Sequence, residues 1–291
     1  MECICCPRRC QVDRSLQAGF CGAGSVPRVA RADLHHWEEP MFSGTRGSGA
    51  VFFSGCPLRC CFCQNMDISA CQKGELCDEE ALVSLFFSLK ERGAHNINLV
   101  TPTPHIAALK GALSRAKREG LNLPILYNTS GYDTVEGLKA LEGLVDIYLP
   151  DLKYVSPQLG LKFSGAADYF DAAAPAILEM QRQVGSLQLD ADGIAQRGLM
   201  IRHLVLPGCI DETRRVLDFI LETFSSKTYL ALMRQYTPIS QELKVPLNRP
   251  LTAREYERAA DYCLQLGFCN VLLQEAAAAT LAYTPPFSDR L

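Results

Sequence analysis

The chain has 291 residues, 48% hydrophobic and 21% charged, with a formal net charge of -3. That is ordinary globular composition, long enough for one large α/β domain with a full core, and its charge balance offers nothing to a nucleic-acid polyanion or an anionic membrane surface. No stretch reaches bilayer-spanning length; the blandest, Glu275–Ala282, is short and Ala-rich.

The chain opens MECICCPRRC, without the apolar run of a secretory signal, and it holds fourteen cysteines, eleven of them before Asp78. Clustered thiols in a long chain without a leader read as metal ligands or catalytic groups in a reducing cytoplasm rather than as a disulfide framework. Cys209, Cys263 and Cys269 lie apart, and their plain reading is buried small hydrophobes.

Residues 1–45 form a loop-rich, Cys- and Arg-rich N-terminal extension; residues 46–291 read as the main domain. In the extension Cys3, Cys6, Cys10 and Cys21 could saturate a zinc ion or an auxiliary Fe–S cluster, and a segment with so little apolar content needs such a staple to be ordered. The plain alternative is spare thiols in a mobile tail. Cys5, Cys71 and Cys77 take no assignment.

From residue 46 onward, short apolar runs alternate with amphipathic stretches. The predicted strands are Ala50–Ser54, Asn96–Val100, Ile125–Asn128, Asp146–Leu149, Leu199–Leu206, Thr228–Met233 and Asn270–Leu273; the predicted helices are Asp78–Arg92, Pro104–Arg118, Thr134–Leu141, Ala166–Gln183, Asp211–Phe224 and Thr252–Leu266. Gly93 and Gly120 stand where C-terminal glycines are expected, and Asp133 and Asp211 where caps belong. Repeated strand–helix units predict an α/β fold with parallel strands. Periodicity alone leaves open whether the sheet closes into a complete or partial barrel or stays doubly wound. In either case chemistry belongs at the C-terminal strand ends. There the sequence offers Thr101 to His105, Asn128 to Gly131, Asp151 to Lys153 and Arg234 to Tyr236. Arg202 and His203, as strand neighbours, face opposite ways.

The first of these strands runs into Ser54-Gly55-Cys56-Pro57-Leu58-Arg59-Cys60-Cys61-Phe62-Cys63. Its C-x3-C-x2-C spacing would arise by chance in roughly 0.03 of random chains of this composition. Three thiolates on one tight loop suit a [4Fe-4S] cubane whose fourth iron stays open, whereas four thiolates saturate a cluster for electron carriage. The rival readings are a zinc-binding interaction protein without catalysis, using Cys56, Cys60, Cys63 and a fourth ligand, and an electron carrier, which would need a fourth thiolate here. Cys61 is expected to point into the core.

The cysteine loop, the aromatic Phe62 before its last Cys and the βα alternation resemble the radical S-adenosylmethionine (SAM) superfamily. With YNTSGYD, DIYLPDLKY, IRHLVLPG and MRQYTP, nearly the whole chain resembles the pyruvate formate-lyase-activating-enzyme-like proteins of the PflX type. The resemblance implies a partial (β/α)6 TIM-like barrel, a [4Fe-4S] cluster on Cys56, Cys60 and Cys63, and SAM as cofactor. Reductive cleavage would yield a 5′-deoxyadenosyl radical, fed by an electron donor such as flavodoxin or ferredoxin, with a glycyl radical enzyme, another protein or a small molecule as target. It also implies SAM contacts from Thr101, Thr103, Asn128, Asp151, Lys153, Gln235 and Tyr236. The usual glycine-rich SAM motif is replaced by Thr101-Pro102-Thr103-Pro104-His105, and the acid expected at the third strand end is Asn128.

Overall fold

The computed structural model describes residues 3–70, 73–240, 242–275 and 285–287. Cys71 and most of the Ala-rich stretch Glu275–Ala282 lie outside the described residues. In chain order the elements are β1 (Arg28–His35), α1 (Pro40–Ser43), β2 (Ser48–Phe53), α2 (Met66–Ser69), β3 (Glu75–Leu76), α3 (Glu79–Glu91), β4 (Ile97–Val100), a 3-10 turn at Thr103–His105, α4 (Ile106–Arg118), β5 (Ile125–Thr129), α5 (Val135–Lys139), β6 (Ile147–Pro150), α6 (Pro157–Ser164), α7 (Tyr169–Val184), β7 (Gln188–Leu189), β8 (Ala195–Leu204), α8 (Ile210–Thr223), β9 (Tyr229–Met233), α9 (Ala253–Gln265) and β10 (Val271–Leu273).

Every predicted strand and helix has its counterpart here. Among the described residues the sheet runs β10-β9-β8-β6-β5-β4-β2-β1-β3, with β7 paired to β8. From β2 to β10 along this path neighbouring strands are parallel. β1 pairs antiparallel with β2 through His35↔Ser48, and β3 with β1. β1 lies within the first 45 residues, so that segment contributes a strand to the sheet.

The two faces of the sheet hold different cores. On one, Val51, Leu99, Tyr127, Tyr148, Ile201 and Leu232 pack against helix residues such as Phe86, Leu113, Ile177 and Leu217. On the other, Leu126, Ile147, Leu149, Met200, Ala231 and Met233 pack on one another and on Phe42 of α1. The long helices thus cover one face only. A doubly wound sheet would carry helices on both, so this is a curled sheet around its own interior, an open partial barrel. α1 stoppers that interior: Phe42 is fully buried and its carbonyl accepts from Asn96 Nδ2 at 2.8 Å.

The helix boundaries follow local chemistry, with three corrections. Gly93 and Gly120 have φ of 88° and 96°, as expected past a helix end. α9 starts with a reciprocal capping box between Thr252 and Glu255. α5, however, is capped by Thr134, whose side chain accepts from Gly137 N. Asp133 is buried and accepts from Tyr127 and Thr129 instead. α8 begins after Cys209, with Asp211 inside its first turn, where its charge favours the helix dipole. The stretch Ala166–Gln183 begins as turn, and α7 itself starts at Tyr169. No helix among the described residues is long and apolar enough to cross a membrane.

Candidate active site

β2 hands the chain to the cysteine loop through Gly55, whose φ of 96° turns it sharply at the strand end. Cys56, Cys60 and Cys63 line one cavity with Thr101, Asn128, Ser130, Asp151, Lys153, Arg202, Gln235 and Tyr236. It opens at the C-terminal ends of the parallel strands, the rim on which such folds place their chemistry. No other cysteine lines it among the described residues. Cys61, expected in the core, is exposed; its backbone N–H donates to Phe163 O at 2.9 Å, which fixes the loop and turns the side chain outward.

Below the thiols lies a layer of paired charge. Lys153 Nζ donates to Asp151 Oδ2 at 2.5 Å, and Arg202 Nε to Asp151 Oδ1 at 3.0 Å. Arg202 also donates to Asn128 Oδ1 at 2.5 Å and to Glu38 Oε2 at 3.3 Å. Glu38 Oε1 takes Asn98 Nδ2 at 3.0 Å and Asn128 Nδ2 at 3.3 Å. Asp151 and Lys153 therefore belong to a buried network, not to a surface ion pair. Burial would raise the Asp151 carboxyl, but the Lys153 and Arg202 charges outweigh it and hold it below the ordinary carboxylate range. Burial would likewise lower Lys153, and Asp151 reverses the sign. Glu39, deeper still, is pushed up to about 7 chiefly by burial, and its Oε2 has no hydrogen-bond partner.

The thiols feel the same environment. Burial first, then Cys56 and Cys60, push Cys63 up to about 12; burial also raises Cys56 and Cys60, while Lys153 pulls all three down. Apolar surroundings that oppose thiolates need a cation beside the sulfurs before they ionise, which is what a bound metal provides. Three thiols at one mouth, a lysine next to them and no fourth thiol in the lining suit a cluster with one iron left open. Among the described residues no group of three or more His, Cys, Asp or Glu is placed to hold a metal ion. A metal group held at these thiols would require them to turn inward. A cubane spreads its thiolates over separate irons and so needs less convergence than a single zinc.

Of the residues read from the sequence, the cavity brings together the three cysteines, Thr101, Asn128, Asp151, Lys153, Gln235 and Tyr236. Thr103 is not in its lining; it is buried, with Oγ1 3.3 Å from Thr129 Oγ1. Thr101 sits at φ 60°, a left-handed conformation uncommon for a β-branched residue. Tyr236 lines the cavity while donating to Leu247 O and packing on Phe62 at 6.2 Å. Arg202 faces in. His203 faces out, between Leu152 O at 2.7 Å and Thr213 Oγ1 at 3.0 Å. Glu38 and Trp37 also line the cavity, from the segment after β1; no motif or strand-end position singled them out.

In the N-terminal segment each of Cys3, Cys6, Cys10 and Cys21 lies within electrostatic reach of the other three. Arg8 ties this segment to the cysteine loop and α6, donating to Pro57 O at 2.9 Å, Gly165 O at 2.7 Å and Ser164 O at 3.2 Å. Ser164 Oγ in turn lies 2.9 Å from Cys60 Sγ. Of the scattered cysteines only Cys263 is fully buried; Cys209 is half-buried and Cys269 exposed, because they sit at element ends rather than on apolar faces.

No family model matches the chain. A curated relative, the uncharacterized protein MJ0674 of Methanocaldococcus jannaschii, is 30% identical over 270 residues, covering 89% of this chain and 73% of that protein. Among solved structures, Streptococcus suis SuiB bound to precursor peptide SuiA aligns at TM-score 0.54 and 14% identity, covering 76% of this chain and 46% of that one. anSMEcpe with bound AdoMet aligns at 0.52 and 13%, covering 73% and 57%. Both are radical SAM enzymes, and the chain spans about half their length.

Proposed function

The chain belongs to one family with archaeal MJ0674 and has the partial-barrel fold of the radical SAM superfamily, and from that premise we propose that it cleaves SAM reductively at a [4Fe-4S] cluster held by Cys56, Cys60 and Cys63. The observation that carries the reading is that those three thiols, and no fourth among the described residues, line one charged cavity at the strand ends. When bound, such a cluster supplies the single electron that breaks a carbon–sulfur bond of SAM to give methionine and a 5′-deoxyadenosyl radical.

The chain's own residues supply the rest. Lys153, beside the three thiols, would offset their negative charge once they ionise and would meet the carboxylate of SAM. Asp151 and Glu38 clamp Arg202, and Arg202 and Glu38 together hold the two ends of the Asn128 amide at the cavity wall, where a ribose hydroxyl would lie. Gln235 is fixed from both sides, its carbonyl accepting from Gln64 at 2.9 Å and its Oε1 from Gln274 at 3.1 Å. Thr101 offers its hydroxyl or carbonyl to the amino group. Phe52, Phe62, Met233 and Tyr236 keep water from the centre. Thr103, outside the lining, acts through Thr129.

The hydrogen donor we favour is a glycine of a partner enzyme; another protein or a small molecule is the alternative target. The setting is the cytoplasm, where so many free thiols stay reduced. We assign a second metal, zinc or an Fe–S cluster, to Cys3, Cys6, Cys10 and Cys21 on their mutual proximity, with the same inward turn of the thiols on binding.

Anaerobically reconstituted protein should bind four irons at this loop and release 5′-deoxyadenosine from SAM and dithionite. Cys60→Ala should lose both. Retained 5′-deoxyadenosine formation in that variant would overturn the mechanism. A colourless, zinc-loaded protein would favour the non-catalytic reading.

A further inference from the structure

The three sulfurs of the cysteine loop meet different donors. Backbone N–H groups of Leu58 and Arg59 reach the Cys56 sulfur, and that of Asn65 the Cys63 sulfur. Cys60 meets a side chain from a distant part of the sequence: Ser164 Oγ lies 2.9 Å from its Sγ, and the pair is buried. Ser164 is the last residue of α6 and only 2% exposed. Gly165, at φ 60°, ends the helix there. The carbonyls of Ser164 and Gly165 accept from Arg8 at 3.2 and 2.7 Å. On the loop side Cys61 N–H donates to Phe163 O at 2.9 Å. The end of α6 and the loop are therefore tied together beside this contact.

A second hydroxyl stands behind the first. Tyr154 OH lies 3.2 Å from Ser164 Oγ. Its ring is buried between Phe163 and Tyr169, with centroids 6.2 and 5.4 Å away. While Cys60 is a thiol, either partner can donate in the Cys60–Ser164 pair. A metal-bound sulfur is a thiolate and can only accept. Ser164 must then donate to Cys60 Sγ, and its oxygen accepts from Tyr154 O–H. The two hydroxyls form one chain of donors aimed at the sulfur, each polarising the next.

Resting on the cluster proposed at Cys56, Cys60 and Cys63, we infer that Ser164 is a positioning residue for it, whose hydroxyl, backed by Tyr154, donates to the Cys60 sulfur and raises the reduction potential of the cluster. An added electron makes the ligand sulfurs more negative. A donor at one of them therefore stabilises the reduced state more than the oxidised one, and hydrogen bonds to sulfur are among the levers that set such potentials. Burial of all three side chains keeps water from substituting for the donor.

The test is a redox titration of the anaerobically reconstituted full-length protein without SAM, followed by electron paramagnetic resonance. Ser164→Ala should bind iron like the wild type and shift the reduction equilibrium about tenfold toward the oxidised cluster, a fall of about 59 mV in midpoint for one electron. Ser164→Thr keeps the hydroxyl and should hold the wild-type midpoint. Tyr154→Phe, which removes only the outer donor, should shift it the same way by less. An unchanged midpoint in Ser164→Ala would overturn the assignment, as would an equal fall in Ser164→Thr. Should Ser164→Ala fail to bind iron, Tyr154→Phe decides, and a wild-type midpoint there would overturn it. A wild type that holds four irons but releases no 5′-deoxyadenosine with dithionite would overturn the SAM-cleaving reading alone, and the midpoints would still judge Ser164. A wild type that holds no cluster would overturn both.

Discussion

Asp151 holds two buried cations at once, and its loss should show. Asp151→Asn keeps the shape but leaves Lys153 and Arg202 short of one negative charge in a site where all three side chains are under 20% exposed. Removing one member of such a network costs about 3–5 kcal/mol, readable as a lower urea midpoint with an unchanged slope. The buried imidazoles give a pH signature. Burial lowers His105 and His203 to about 4 each, only partly opposed by hydrogen bonds to Ser54 O and Leu152 O. The unfolded chain takes up these protons near 6.5 while the folded chain resists until about 4. Their contribution is therefore whole above pH 6.5 and is lost as pH falls toward 4, by roughly 3 kcal/mol for each histidine. Denaturation measured across that window should show the slope, and His203→Gln should flatten it. At this scale the sequence was informative wherever chemistry followed a strand: the three cysteines, Asn128, Asp151 and Lys153 all reach the cavity. Glu38 was invisible because it enters from the far end of the barrel, where no strand-end rule applies.

The helices were legible because long apolar stripes have few other uses: Leu82, Phe86 and Leu89 of α3 are buried as spaced. Strands β3 and β7, two residues each, are too short to carry a period. β1 escaped notice because its residues, RVARADLH, mix charge into the alternation, as a strand bordered by a two-residue edge tolerates. α1 gave no signal either; four residues cannot show a stripe, and its worth lies in one side chain. Phe42→Ala should cost about 3–5 kcal/mol. Because Phe42 closes the inner apolar layer and its N–H donates to Glu39 O at 2.8 Å, next to Glu38, the variant should also lose SAM affinity in calorimetry beyond any loss in an α3 core variant of equal stability, such as Phe86→Ala.

For the whole molecule, strand–helix alternation fixed the class and left the curl undecided. The distinction lies in which side chains meet across the sheet, a fact of the third dimension: Phe53 and Phe86 share one core and Leu126 and Met200 the other, yet all four read alike along the chain. The same limit applies to the N-terminal segment. Its cysteines advertise a cluster, but nothing in their spacing says that Arg8 lashes it to the loop of Cys56–Cys63.

The stopper formed by α1 has a kinetic corollary. A vessel shut at its base is filled and emptied through the same neck, so under the proposed chemistry spent methionine and 5′-deoxyadenosine would depart by the route fresh SAM arrives. Turnover should slow as those two accumulate, most steeply when both are added together, and a nucleosidase that destroys 5′-deoxyadenosine should restore the initial rate.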